Sequence, residues 1–252
     1  MNQKDRIFEL SKELRLPTIR KNLNKYIDDA CHENLDYTSF LINILDNEYE
    51  QRKINRRKSS IRRANFPYKK YLNDLSIKHL PTDGQKKLKA LKTLNFIDSG
   101  QNVILAGNPG TGKTHLAIGL GIEACLQGYK VLFTNVSSLI TQLKESRSER
   151  FLRSMENSFE KYDLVICDEF GYISFDKEGG ELLFSHLSLR TERKSVIITT
   201  NLTFDRWSEL FGDPILTTAL IDRLTYKAYI VNMNGNSYRA DETKKWTQNL
   251  SK

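Results

Sequence analysis

The stretch GNPGTGKTHLA, residues 107–117, decides how the rest of the chain is read. It places four residues between Gly107 and Gly112, with Lys113 and Thr114 directly behind. VILA just ahead of it reads as a strand, and THLAIGLGIEACLQG behind it reads as a helix. A loop that wraps a triphosphate must turn backbone N–H groups inward, and glycine permits the dihedrals and the close approach. The helix N-terminus that follows favours an anion. Asn108, Pro109, Gly110 and Thr111 complete the loop, and His115 stands in the first helical turn. Lys113 is expected to reach the β- and γ-phosphates, and the Thr114 hydroxyl to hold Mg²⁺. The plainer alternative is a glycine turn between a strand and a helix.

Further along, DLVICDE (163–169) is an apolar run ending in Asp168 and Glu169. Carboxylates at the end of a parallel strand arrive at the sheet edge where a phosphate loop also lies. Asp168 is expected to bind Mg²⁺ through water, and Glu169 to orient and deprotonate an attacking water. SVIITTN (195–201) ends in Asn201, whose amide suits a γ-phosphate or the same water; a turn or cap asparagine is the alternative. Arg223 follows Asp222 on an expected helix, and Arg239 opens another. A permanently charged fork is wanted where charge develops on phosphate.

These motifs lie in a regular alternation of strand-like and helical runs. NVILAG (102–107), KVLFTN (130–135), DLVICDE, SVIITTN and AYIVNM (228–233) are apolar almost throughout, as strands buried on both faces are. The expected architecture is a three-layer α/β domain, residues 67–252. Residues 1–66 are expected to form a small all-helical domain. Ile7, Leu10 and Leu14 mark one apolar stripe, Ile19, Leu23, Tyr26, Ile27 and Ala30 a second, and Tyr37, Phe40, Leu41, Ile44 and Leu45 a third. ANFPYKK, around Pro67, is the expected linker.

Charge separates the two parts. The net charge is +8, and residues 1–100 hold 21 Lys/Arg against 13 Asp/Glu, while the remainder is balanced at 18 against 18. Residues 51–70 contain nine basic residues and no acidic one, which points to a polyanion partner. Arg52, Lys53, Arg56, Arg57, Lys58, Arg62 and Arg63 are the candidate DNA contacts, although on a helix they spread around the axis. A solvated charged helix is the alternative. Lys144, Arg147, Arg150 and Arg153 form a second basic set, with Glu145 and Glu149 interspersed as intrahelical partners. No apolar run suits a membrane span and MNQKDRIFEL has no signal-peptide core. Together with three isolated cysteines, this gives a cytoplasmic expectation.

Taken in order, GNPGTGKTH, VICDEFGY, TTN, IDRL and SYR resemble the AAA+ ATPases of the DnaC/IstB group over about residues 65–250. LRLPTIRKNL, FLINILDNEYEQR and RRKSSIRRANFP are similar to the N-terminal part of its IstB-like branch, the ATPase helpers of insertion-sequence transposases. The resemblance implies a five-stranded parallel P-loop core with a reduced lid, ATP and Mg²⁺ as ligands, and ATP hydrolysis. It implies that Arg223 acts as an arginine finger on ATP in a neighbouring subunit, and Arg239 as a sensor on its own. It also implies a homo-oligomeric ring or spiral on double-stranded DNA, an IstA-type transposase as partner, and a part in target selection. The DnaC branch offers the alternative of a replicative helicase loader. A nucleotide-gated DNA-binding module without turnover is a third reading, opposed by the Asp168/Glu169 pair.

Overall fold

A computed structural model describes residues 2–172 and 174–250. The chain forms two compact units, Met1–Ser59 and Ser60–Lys252. The first holds α1 (Gln3–Glu13), α2 (Pro17–Glu33) and most of α3 (Tyr37–Arg63). Asn2 caps α1 reciprocally with Asp5. Asp36 caps α3, accepting from the Thr38 and Ser39 amides at 2.8 and 2.9 Å. The bond from the Ser39 amide is the first cause holding its carboxyl below the usual range. Pro17 opens α2, and the buried Glu48 of α3 accepts the Thr18 and Ile19 amides at 2.8 and 3.1 Å. That carboxylate thus satisfies two donors that the start of α2 leaves unpaired.

Only part of the apolar patterning in this unit is used. Ile19, Leu23 and Ile44 are buried, whereas Ile7, Leu10, Leu14, Tyr37, Leu41 and Leu45 are exposed. The stripe on α1 and much of that on α3 therefore do not pack inward as their spacing predicts, although Ile44 does. A unit this small encloses too little volume to cover every apolar face.

In the second unit five parallel strands lie in the order β2-β3-β4-β1-β5. They are β1 (Val103–Ala106), β2 (Val131–Asn135), β3 (Leu164–Phe170), β4 (Ser195–Thr200) and β5 (Tyr229–Asn232). Alternate residues feed two apolar cores. Val103, Leu105, Leu164 and Ile166 pack with residues of α4 (Thr82–Lys92), α5 (Asn95–Asp98) and α6 (Lys113–Gln127). Ile104, Val165, Cys167 and Ile198 pack against α7 (Val136–Ser148), α8 (Leu152–Phe159), α9 (Lys177–Ser188), α10 (Ser208–Phe211) and α11 (Pro214–Thr225). The result is the expected three-layer sandwich. After β5 comes α12 (Tyr238–Leu250).

Residues 64–70, anticipated as a linker, are built into this unit. Ala64 is fully buried, its carbonyl accepts the Phe133 amide at 2.7 Å, and Phe66 lies 6.0 Å from the Phe133 ring. Lys144 pairs with Asp176 at 2.6 Å and Arg147 with Glu178 at 3.4 Å, so these cations bridge α7 to α9 rather than pairing along their own helix. Among the described residues no helix is long and apolar enough to cross a membrane.

Candidate functional site

The place of β1 between β4 and β5 brings the phosphate-loop sequence between the ends of its neighbours. The loop leaves β1 at Gly107 and enters α6 at Lys113. Gly110 and Gly112 hold φ of +79° and +92°, a region that disfavours side chains. A cleft of about 320 Å³ opens over the loop. Residues from Pro109 through His115 line it, with Glu169, Thr199, Asn201 and Arg239. Its far wall comes from Tyr68 and the segment that includes Leu75 and His79.

Lys113 is largely buried, and its Nζ donates to the carbonyls of Gly107 and Asn108 at 2.8 and 2.7 Å. Burial lowers its pKa to about 8, with Arg239 adding to the shift and Asp168 opposing it. The ammonium is thus held at the loop by two carbonyls, and an anion there would favour its charged form. The Thr114 hydroxyl donates to Asp168 Oδ1 at 2.9 Å. These hydroxyl and carboxylate oxygens are the hard donors that a magnesium ion takes. Asp168 also accepts from Thr199 Oγ1 at 2.5 Å.

Glu169 reaches the cleft through a local break in β3. Cys167 pairs with Ile198 and Phe170 with Thr200, so Asp168 and Glu169 together oppose Thr199 alone. Glu169 has φ of +60°, and its amide donates to Thr199 Oγ1 at 3.0 Å instead of to the ladder. This bulge leaves Asp168 buried and turns Glu169 out into solvent. Asn135 at the end of β2 donates from Nδ2 to a Glu169 carboxylate oxygen.

Not all expected residues meet here. Lys113, Thr114, Glu169, Asn201 and Arg239 do, and Asp168 stands beside them through Thr114. Arg223 does not: it sits in the last turn of α11, 4.7 Å above the Phe184 ring, in a pocket with Asn102 and Glu192. Asn102 precedes β1, so that pocket lies at the opposite end of the sheet from the loop. Of the basic residues on α3, Arg52 bonds Glu48 at 3.2 Å and also the Arg15 carbonyl, and Lys53 pairs with Glu50 at 3.4 Å. Arg56, Arg57, Lys58, Arg62 and Arg63 are exposed. The sequence reading missed Asn135, Thr199 and Tyr68. Burial, then Asp168, raises the pKa of the Tyr68 phenol.

Known proteins give the chain its family and its fold relatives. Residues 9–246 match the family described as IstB-like ATP binding protein. The chain is 34% identical over 239 residues to the insertion sequence IS5376 ATP-binding protein of Geobacillus stearothermophilus, covering 95% of both. It is 34% identical over 236 residues to the IS21 counterpart of Pseudomonas aeruginosa, covering 94% of this chain and 89% of that one. Among solved structures, DnaI superimposes with a TM-score of 0.56 at 19% identity, over 70% of this chain and 93% of that one. AMPPCP-bound DnaA from Aquifex aeolicus gives 0.55 at 18%, over 72% of this chain and 55% of that one. At these identities the two structures show the fold alone, an AAA+ P-loop core. From residue 9 to residue 246, therefore, this chain belongs to the IstB-like ATP-binding protein family.

Proposed function

We propose that the protein is an ATPase that assembles on double-stranded DNA and assists the transposase of an insertion sequence. The observation that carries the reading is the convergence of Lys113, Thr114, Glu169, Asn201 and Arg239 on one cleft beside Asp168. Lys113 and the loop amides hold the triphosphate, and Arg239 adds charge from the first turn of α12. Thr114 and Asp168 would hold a magnesium ion, which would supply positive charge against the phosphates. Glu169 accepts the proton of the attacking water, and Asn201 orients that water. Because Arg223 stands away from its own cleft, its guanidinium serves the nucleotide of a neighbouring copy, which makes ATP part of the joint between subunits.

The DNA-facing element in this reading is α3. Arg56, Arg57, Lys58, Arg62 and Arg63 contact phosphates, with Arg52 and Lys53 beside them on the same helix. The family relatives named for insertion sequences support a transposase as partner.

Nucleotide binding and turnover by the parent, Lys113→Ala and Glu169→Gln test the proposal. Lys113→Ala is expected to lose both. Glu169→Gln is expected to bind ATP as the parent does and to hydrolyse it about 10²-fold or more slowly. Turnover at the parental rate in Glu169→Gln removes the glutamate from its role, and a parent that neither binds nor hydrolyses ATP removes the function.

A further inference from the structure

The connection from β5 to α12 grips the phosphate loop from the side away from β3. Asn234 Oδ1 accepts the Asn108 amide at 3.1 Å, and the Tyr238 amide donates to the Gly110 carbonyl at 3.0 Å. The two segments approach too closely for side chains. A Cβ on Gly107 would overlap the Met233 backbone, and one on Gly110 would overlap the Ser237 hydroxyl. The grip is itself braced. The Asn234 amide donates to Asn232 Oδ1 at 2.9 Å, and the Asn232 amide donates to Asp83 Oδ2 on α4 at 2.8 Å.

Beyond its first turn α12 is exposed on nearly every described side chain. Its start is held by the bond to Gly110 and by the Tyr238 ring, which meets His79 edge-on at 5.1 Å. Arg239, the next residue, lines the cleft. One short segment therefore touches the loop at both Asn108 and Gly110 and also delivers Arg239 to the same space.

We infer that Asn234 is a positioning residue that sets Arg239 against the phosphate loop. Its neutral amide occupies a loop N–H without bringing a negative charge beside the phosphates. Loosening that bond lets the connection, and Arg239 with it, drift relative to the loop. The inference rests on the ATP-binding reading of the cleft.

A double-mutant cycle on the full chain tests it, using Asn234→Ala, Arg239→Ala and the pair, with the Kd for a fluorescent ATP analogue and the KM for ATP as readouts. Asn234 is exposed, so the melting temperature of each variant should match the parent. Asn234→Ala alone is expected to raise Kd and KM by about 5-fold, the range of one hydrogen bond. In the Arg239→Ala background the same change should cost less than about 2-fold, because the group it positions is gone. Equal costs in both backgrounds, or no cost in the parent, overturn the inference while leaving ATP binding intact. A parent that binds no nucleotide overturns the proposed function and this inference together.

Discussion

Glu169 is the residue on which sequence and geometry differ most informatively. In a regular strand Asp168 and Glu169 point to opposite faces, so adjacency alone does not bring both to one ligand. The bulge opposite Thr199 solves this by holding Glu169 at φ of +60°. The acidic pair was legible from its place at the end of an apolar run, but the bulge was not, because nothing in DLVICDE marks an irregular strand. Asn135, Thr199 and Asn234 were equally silent, since lone polar residues at strand ends read as caps and turns. Gly110 is different: its positive φ and its closeness to Ser237 demand glycine from two directions. Gly110→Ala should therefore weaken ATP binding by about 10-fold or more, in line with strain of about 1–3 kcal/mol at a site over-determined by its surroundings. Isothermal titration with ATP checks this, and parental affinity would show that the loop tolerates the side chain.

At the scale of elements, the five strands were legible because runs apolar on both faces suit only a covered parallel sheet. The order β2-β3-β4-β1-β5 was not legible from those runs, since spacing does not say which strands pair. Helix spacing misled in the first unit, where the stripe of α1 and much of that of α3 remain exposed despite correct periodicity. The charged end of α3 is legible as an exposed cationic run, because residues 51–70 contain no acid. Even there, Arg52 is taken up by Glu48, a buried carboxylate four residues earlier. Replacing Arg56, Arg57 and Lys58 with serine should lower duplex affinity and flatten its salt dependence. The slope of log K against log salt should fall by about 0.9 for each phosphate that is no longer neutralised. Fluorescence anisotropy across a salt series measures this, and an unchanged slope would place the DNA elsewhere on the molecule.

For the whole molecule, the separation between Arg223 and the loop matters most. The arginine stands over Phe184 at one end of the sheet, while Lys113 and Glu169 are at the other. In the proposed function no single copy brings both to one phosphate, and the site is shared. An arginine finger is worth about 10³-fold or more in rate, enough for turnover to depend on assembly. The sequence alone could give Arg223 its finger role only through resemblance, because a lone arginine on a helix ordinarily serves as a surface cation. The most direct measurement is ATP hydrolysis by Arg223→Ala and Glu169→Gln proteins, separately and mixed, with magnesium and duplex DNA present. Each variant should be nearly silent alone and a mixture should recover part of the parental rate, since some joints then pair an intact cleft with an intact arginine. Parental turnover by Arg223→Ala alone, or silence in every mixture of an otherwise active enzyme, would contradict a nucleotide shared between neighbouring copies.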